Sequence, residues 1–297
     1  MELKGLHILL THLCNLECDH CFVWGSPTQS GTLSLEGVRD VLSQARELRG
    51  LDWIYFEGGE PFLYYPILVS GVREASRLGF RVGVLSNCYW ATTVEDALEW
   101  LRPFAGLVQD FSISSDLYHS SEKLTQEASN AASAAKKLGI PVGVISIAQP
   151  DERTKSRMGQ LPPGKSTVMF RGRAAIKLAS SVPGTSWDQF TQCPHEKLHD
   201  PGRVHLDPFG GVHICQGIRI GNVSRIRLRE LCRRYDPRAH PIVGPLLEGG
   251  PSELTRRYDL PHKQAYADAC HLCYETRKML RSRFPEILGP DQMYGIM

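Results

Sequence analysis

Three absences narrow the field. No stretch approaches the roughly 20 apolar residues that cross a bilayer. Neither sign of charge dominates: 34 Lys and Arg stand against 32 Asp and Glu, a formal net charge of +2. That balance gives no electrostatic case for nucleic acid or a membrane surface as a partner. No repeat period and no low-complexity tract runs through the 297 residues, which argues against solenoid and disordered classes. The start, "MELKGLHILLTHLCN", also lacks the marks of a signal peptide. Its apolar run is short, His7 interrupts it, and no small-residue cleavage site follows. A cytoplasmic location is the expectation. Hydrophobic residues at 42% suffice for one large domain, or one domain with a smaller appendage.

What the chain has in quantity is cysteine, nine residues in all. In a reducing compartment these are not a disulfide set. An odd count in close-spaced groups points to metal. Cys14, Cys18 and Cys21 follow the apolar run "LHILL" directly. A zinc site needs a fourth ligand nearby, and none of Asn15, Glu17 or His20 completes a standard zinc spacing. Thiolates are the ligands of iron–sulfur clusters, and three of them on a four-iron cluster leave one iron open for chemistry.

The first 180 residues alternate short apolar runs with amphipathic segments. "GLHILLT", "DWIYFEGG", "FRVGVLSN", "VQDFSISSD", "IPVGVISIAQ" and "STVMFRGRAA" read as strands. "SLEGVRDVLSQARELRG", "YPILVSGVREASRLG", "TTVEDALEWLRPF" and "SSEKLTQEASNAASAAKKLG" read as helices, with Ser34 and a Thr as N-caps and Gly50, Gly79 and Gly139 as stops. Regular βα alternation predicts an α/β fold with a parallel sheet. Six units in this length predict an incomplete barrel or an open sheet, since a full eightfold barrel takes about 250 residues. The pattern changes near Ser180. "RVHLD" and "GVHIC" flank "PFGG" as a β-hairpin. A helix "SRIRLRELCRRY", a Pro/Gly-rich loop "DPRAHPIVGPLLEGGPSE" and a helix "KQAYADACHLCYETRKMLRSRF" complete the chain. The expected division is therefore 1–180 and 181–297.

Cys-x3-Cys-x2-Cys behind a first strand resembles the signature of radical SAM enzymes, which use S-adenosylmethionine (SAM). The resemblance extends through the first 180 residues. It implies a partial (β/α)6 TIM-type barrel, with Cys14, Cys18 and Cys21 as catalytic ligands of a [4Fe–4S] cluster that binds SAM. His20 stands where the family usually has an aromatic or ring residue. "GGEP", Gly58, Gly59, Glu60 and Pro61, occupies the loop that meets the SAM amino group in this family. Glycines suit a close backbone approach there and proline stiffens the exit. Glu60 either receives the SAM ammonium or orients the loop. Ser86 and Asn87 end the third strand where the family has a polar residue facing SAM. Ser114 and Asp116 end the fourth, facing the ribose or the methionine part. Arg171 and Arg173 in "FRGRA" suit a bidentate grip on a carboxylate of SAM or substrate; an ordinary surface pair is the rival reading.

Cys193, Cys215, Cys270 and Cys273 remain as a candidate four-thiolate metal site, and a structural zinc is an alternative occupant. "DPFGGVHICQGIRIGN" resembles the cysteine-bearing hairpin of the SPASM and twitch appendages of radical SAM enzymes. That implies a second, auxiliary [4Fe–4S] cluster on a small C-terminal hairpin-plus-helix appendage. The cysteines are too few for two clusters there, which favours a twitch-like form. Cys232 reads as a buried thiol, and Cys88 as lining the SAM pocket without reacting. His195, His199, His205 and His213 read as surface or cluster-shell residues, and His119 as part of a helix entry.

The resemblance implies reductive cleavage of SAM and abstraction of a hydrogen atom from an organic substrate. Family members with such an appendage oxidise or cross-link residues of ribosomally made peptides or proteins; others oxidise, epimerise or rearrange small molecules such as sugars. The peptide reading is the first expectation and the small molecule the second. A non-catalytic iron–sulfur scaffold or carrier is a third class. The first strand begins near residue 6, with no N-terminal peptide-recognition domain of the kind some peptide maturases carry, which weakens the peptide reading and keeps it only with a separate recognition protein as partner; an electron donor such as flavodoxin or ferredoxin is the other expected partner.

Overall fold

A computed structural model describes residues 1–119, 125–150 and 164–296. The strands are β1 (Gly5–Thr11), β2 (Trp53–Gly58), β3 (Arg81–Ser86), β4 (Asp110–Ser114), β5 (Val142–Ile147), β6 (Gly164–Ser166), β7 (Thr185–Ser186), β8 (Arg203–Leu206), β9 (Gly211–Cys215), β10 (Ile218–Asn222) and β11 (Ala265–Tyr266). The helices are α1 (Leu35–Arg46), α2 (Tyr65–Arg77), α3 (Val94–Leu101), α4 (Gln126–Lys137), α5 (Ala174–Lys177), α6 (Leu228–Arg234), α7 (Val243–Arg257) and α8 (Ala269–Leu280). Among the described residues no helix is long and apolar enough to cross a membrane.

The fold is α/β with a parallel sheet. Nine strands run in the order β10-β9-β8-β1-β2-β3-β4-β5-β6. β1 through β6 pair in parallel with their sequence neighbours. β8 is parallel to β1, while β9 and β10 are antiparallel additions. Among the described residues no pairing closes the sheet into a ring. The C-terminal hairpin thus continues the main sheet along its β1 edge, so that edge is covered rather than open to other chains. A two-stranded sheet of β7 and β11 stands apart.

The helices start and stop where the capping residues demand. Ser34 accepts from Gly37 N–H at 3.0 Å and Thr93 from Asp96 N–H at 3.0 Å, caps worth about 1 kcal/mol each. Thr125 caps α4 in the same way; the earlier part of that predicted helix, residues 120–124, lies outside the described residues. Val38, Val41, Leu42 and Ala45 of α1 are buried in the core. One contiguous core includes Leu6, Ile8 and Leu10 of β1, Phe56 of β2 and Ile214 of β9.

Three expectations need correction. The last helix begins at Ala269 rather than Lys263, and Ala265–Tyr266 ahead of it form β11. "STVMFRGRAA" contributes only its first residue to a strand, the three-residue β6. Gly172 turns the chain into α5 with φ +61, and a Cβ on it would lie 2.6 Å from the Cys21 carbonyl. The Pro/Gly-rich stretch after α6 is helical from Val243 to Arg257, broken at Gly249 and Gly250. Pro251 opens the second half, where a missing N–H costs nothing.

Candidate functional site

The irregular segment between β1 and α1 carries Cys14, Cys18 and Cys21. Cys14 and Cys18 are buried, and Cys21 is half-buried. Burial, with the neighbouring thiols adding to it, pushes the Cys14 thiol up to about 12 and Cys18 higher still. Backbone amides already face two of the sulfurs, Leu16 N–H to Cys14 Sγ at 3.4 Å and Gly25 N–H to Cys21 Sγ at 3.2 Å. Buried thiols crowded together resist ionisation unless a cation compensates them. A cationic cluster suits that donor set.

Three elements support this loop. Gly59 N–H donates to Thr11 O at 2.7 Å and Glu60 N–H to Leu13 O at 2.9 Å. A Cβ on Gly59 would overlap the Leu13 carbonyl, and one on Gly58 (φ +134) would reach Thr11 O at 2.5 Å. The glycine pair therefore permits a close approach of two backbones, strand end to cysteine loop, not of backbone to ligand. Pro61 opens a buried single turn behind it.

Glu60 has no exposed surface. Its Oε1 accepts from Phe62 N–H at 3.0 Å and from Ser86 Oγ at 2.9 Å, and its Oε2 from Asn87 N–H at 2.8 Å. Burial pushes its carboxyl up to about 7. Of the two readings of Glu60, these bonds supply the loop-orienting one. Ser86 is occupied as well, accepting from Cys88 N–H and Trp90 Nε1. Asn87 faces the cysteine loop: its Nδ2 donates to Asn15 Oδ1 at 2.9 Å and lies 3.8 Å from Cys14 Sγ. Cys88 has φ +62 and is wholly enclosed in the apolar core, so it does not line the pocket.

The third support is Arg173, with only 1% of its surface exposed. It donates to the carbonyls of Cys18 at 2.7 Å and Gly25 at 2.9 Å. The predicted grip on a carboxylate gives way to a clamp on the loop. Arg171 is engaged differently, with Glu196 at 3.2 Å and Cys215 Sγ at 3.5 Å, so the surface-pair reading fails for both arginines.

At the end of β4, Ser114 Oγ pairs with His119 Nε2 at 3.0 Å, and His119 Nδ1 meets Asp116 Oδ1 at 2.7 Å. Asp116 also accepts from Ile147 N–H and lies 3.4 Å from His20 Nε2. Burial works against its charge, but His119 and His20 outweigh it and hold the carboxyl well below the usual range. Asp116 therefore ties β4 to the cysteine loop through His20. That tie links residues almost a hundred positions apart, and no local pattern in the sequence announces it.

Ser114 and His20 border a cavity, open to solvent, on the inner face of the sheet. His7, Tyr55, Glu57, Ser112, Ser114, Arg171 and His205 line it, together with His20 and Phe22 of the cysteine loop. The surface reading is corrected for two histidines. His205 faces this cavity, and His213 is fully enclosed with Asp207 at 2.7 Å. His199 is exposed, as expected. Glu57 and His7 carried no signal that sequence reasoning used; the alternation of β1 and β2 places both on the inner face and was available.

The second cysteine group also comes together. Cys193, Cys215, Cys270 and Cys273 line one cavity of about 410 Å³, with Arg171 and Arg277 beside them. Burial pushes the Cys193 thiol up to about 12 and raises Cys270 and Cys273. Arg277 is 1% exposed and donates to Cys273 O at 3.2 Å. Two guanidiniums beside four thiols suit an occupant that brings net negative charge with its ligands. Cys232 stays apart in the core, as read.

Comparison with known proteins bears on the first half most strongly. The model of the radical SAM superfamily matches residues 8–156. The YydG protein of Bacillus subtilis (strain 168), assigned to peptide biosynthesis, is 29% identical over 117 residues, 39% of this chain and 37% of that one. The PqqA peptide cyclase of Streptomyces rochei is 39% identical over 87 residues, 28% of this chain and 22% of that one. The matches thus span well under half the length of these relatives. Among solved structures, BtrN in complex with AdoMet and 2-DOIA superposes with a TM-score of 0.54 at 13% identity, over 84% of this chain and 89% of that one, a likeness of fold. With the family model spanning half of its length across the cysteine loop, the chain belongs to the radical SAM superfamily.

Proposed function

We propose that the protein is a radical SAM enzyme that oxidises or cross-links a residue of a ribosomally made peptide, with an auxiliary cluster assisting. Cys14, Cys18 and Cys21 hold the [4Fe–4S] cluster to which SAM binds. When bound, this pair supplies reductive cleavage of SAM and removal of a hydrogen atom from the substrate. The observation that carries the reading is the convergence of three thiols, two buried and one half-buried, on a loop that borders a cavity at the carboxyl ends of parallel strands.

The chain's own residues set the stage. Arg173 and the Gly59 contact fix the loop. Glu60 locks the end of β3 to the GGEP loop, so Asn87 is held against Cys14 and Asn15. Asp116 holds His20 at the cavity wall, and His119, bonded to both Asp116 and Ser114, steadies Ser114 there. Asn87 and Ser114, at the ends of β3 and β4, form the SAM-facing side. Closed packing behind them excludes water from the place where reactive species form.

Residues 181–297 act as a twitch-like appendage. Cys193, Cys215, Cys270 and Cys273 hold a second [4Fe–4S] cluster there, and the four-thiol cavity with its two arginines supports this. Four thiolates leave no open position, which suits electron transfer. Peptide as the substrate class is supported by the two curated relatives, one in peptide biosynthesis and one a peptide cyclase. The cell's reductant is a flavodoxin or ferredoxin, and a separate protein presents the peptide.

The test is anaerobic reconstitution followed by dithionite and SAM. Formation of 5′-deoxyadenosine is expected. Co-expression with short open reading frames neighbouring the gene then yields a peptide lighter by two hydrogens. Absence of 5′-deoxyadenosine from a fully reconstituted protein overturns the catalytic reading. Its formation with a neighbouring sugar-pathway metabolite consumed, and no peptide altered, overturns the peptide assignment.

A further inference from the structure

Away from both cysteine groups, a third set of ligand-type side chains meets on the inner face of the sheet. His7 lies on β1, Glu57 on β2 and His205 on β8. Register sets His7 directly beside His205 across the β1–β8 pairing, and two residues before the position that faces Glu57 across β1–β2. Alternation points all three toward the same side, and all three line the large cavity.

Their geometry is not that of an ordinary hydrogen-bonded cluster. Glu57 Oε1 lies 3.2 Å from His7 Nδ1 and 3.2 Å from His205 Nε2. The three atoms fall within 4.8 Å of one another. The side chains are only 7%, 11% and 13% exposed for His7, Glu57 and His205. Yet neither His7 Nδ1 nor Glu57 Oε1 makes an aligned hydrogen bond among the described residues. The atoms are close but do not point at each other. Ligands about 2.1 Å from a shared ion, at tetrahedral or octahedral angles, lie about 3.0–3.4 Å apart and aim at the ion between them. A bonded N–H···O pair of similar length would be in line.

We propose that His7, Glu57 and His205 form a divalent metal site of the two-histidine, one-carboxylate kind on the wall of the cavity. The ligand set suits zinc, manganese or ferrous iron rather than a thiophilic ion. The Tyr55 ring stacks on His7 at 4.6 Å and the Phe22 ring lies edge-on to His205 at 6.0 Å, which fixes both imidazoles. Arg203, the nearest cation on β8, is drawn toward Glu196 at 3.3 Å, and so does not neutralise Glu57. Three protein ligands leave coordination positions on the cavity side. On the proposed function, which this clause alone assumes, those positions take an oxygen or nitrogen of the substrate and anchor it beside the cysteine loop.

The test uses the holoenzyme with its clusters oxidised, where [4Fe–4S]2+ is silent in electron paramagnetic resonance. Mn(II) is titrated in and the free six-line signal is followed. One equivalent should bind, Zn(II) should displace it, and electron spin-echo modulation should report coupled imidazole nitrogen. Glu57→Gln, which keeps the shape, should weaken binding at least about 10-fold. His205→Gln should weaken it similarly and remove one nitrogen coupling. Melting temperature and circular dichroism establish that each variant is folded. No Mn(II) or Zn(II) bound by folded wild-type enzyme overturns the site, as does binding unchanged in both variants. Loss of 5′-deoxyadenosine formation with Mn(II) binding intact would strike the catalytic reading and leave this site standing.

Discussion

The two cysteine sites are built by opposite means. Cys14, Cys18 and Cys21 sit on a loop with no regular structure, whose shape is imposed from outside by Arg173, the Gly59 backbone and Asn87. Of the second group, Cys215 ends β9 while Cys270 and Cys273 ride on α8, and only Cys193 lies on a loop. The loop, held by one guanidinium, one amide side chain and backbone donors, borders the cavity through His20 and Phe22. The second group sits mostly on regular elements, with Arg171 and Arg277 lining the same cavity. The contrast matches the proposed roles, a site that admits a ligand and a site that only passes electrons.

The sharpest way to break the comparison is to remove one ligand from each. Cys18→Ser should reduce 5′-deoxyadenosine formation to background. Cys270→Ser should leave SAM cleavage but uncouple it from product, read as 5′-deoxyadenosine formed without altered peptide in chromatography and mass spectrometry. Equal loss in both variants would mean that the sites do not have separable roles.

A smaller effect separates the two clamps. Arg173→Met leaves the buried carbonyls of Cys18 and Gly25 without donors. At about 1.5–3 kcal/mol for a charge-assisted bond, the expected destabilisation is about 3 kcal/mol or more. Arg277→Met removes bonds to Cys273 O and to Gln216 O and should cost a similar amount. The iron content should tell them apart. Arg173→Met should lose the first cluster and keep the second, and Arg277→Met the reverse, measured by denaturant titration and by iron and sulfide per chain.

Much of this was legible in the residues. The short apolar runs and the capped amphipathic segments located β1 to β5 and α1 to α4. The cysteine spacings located both metal candidates. What the sequence withheld was partner choice over long separations. Glu60 looked like a ligand contact from the GGEP resemblance and Arg173 from its place at a strand's end, yet Glu60 bonds to Phe62, Ser86 and Asn87, and Arg173 to the carbonyls of Cys18 and Gly25. His205 looked like a surface residue because β8 was read as half of an isolated hairpin. Its parallel pairing with β1 turns that face inward, and nothing in "RVHLD" specifies the pairing. The α7 helix hid behind glycines and prolines whose positions, at a break and a first turn, are helix-compatible only in place.

The finest test asks whether the two sites communicate through structure. Trp24, at the end of the cysteine loop, donates Nε1–H to the Tyr274 hydroxyl at 3.0 Å, and Tyr274 is the residue after Cys273 on α8. Its ring stacks on Tyr294 at 5.6 Å, and Trp24 holds φ +60, so the indole is fixed from both sides. Tyr274→Phe should cost about 1 kcal/mol, since half-buried Trp24 recovers part of the bond from water. Trp24→Phe should cost more, because packing goes with it. If the bond couples loop to helix, the double variant should fall short of the sum by about 1 kcal/mol in a denaturation cycle. Full additivity would mean that the cysteine loop and α8 are stabilised independently, and the path between the two sites would then run through Arg171, which borders both cavities.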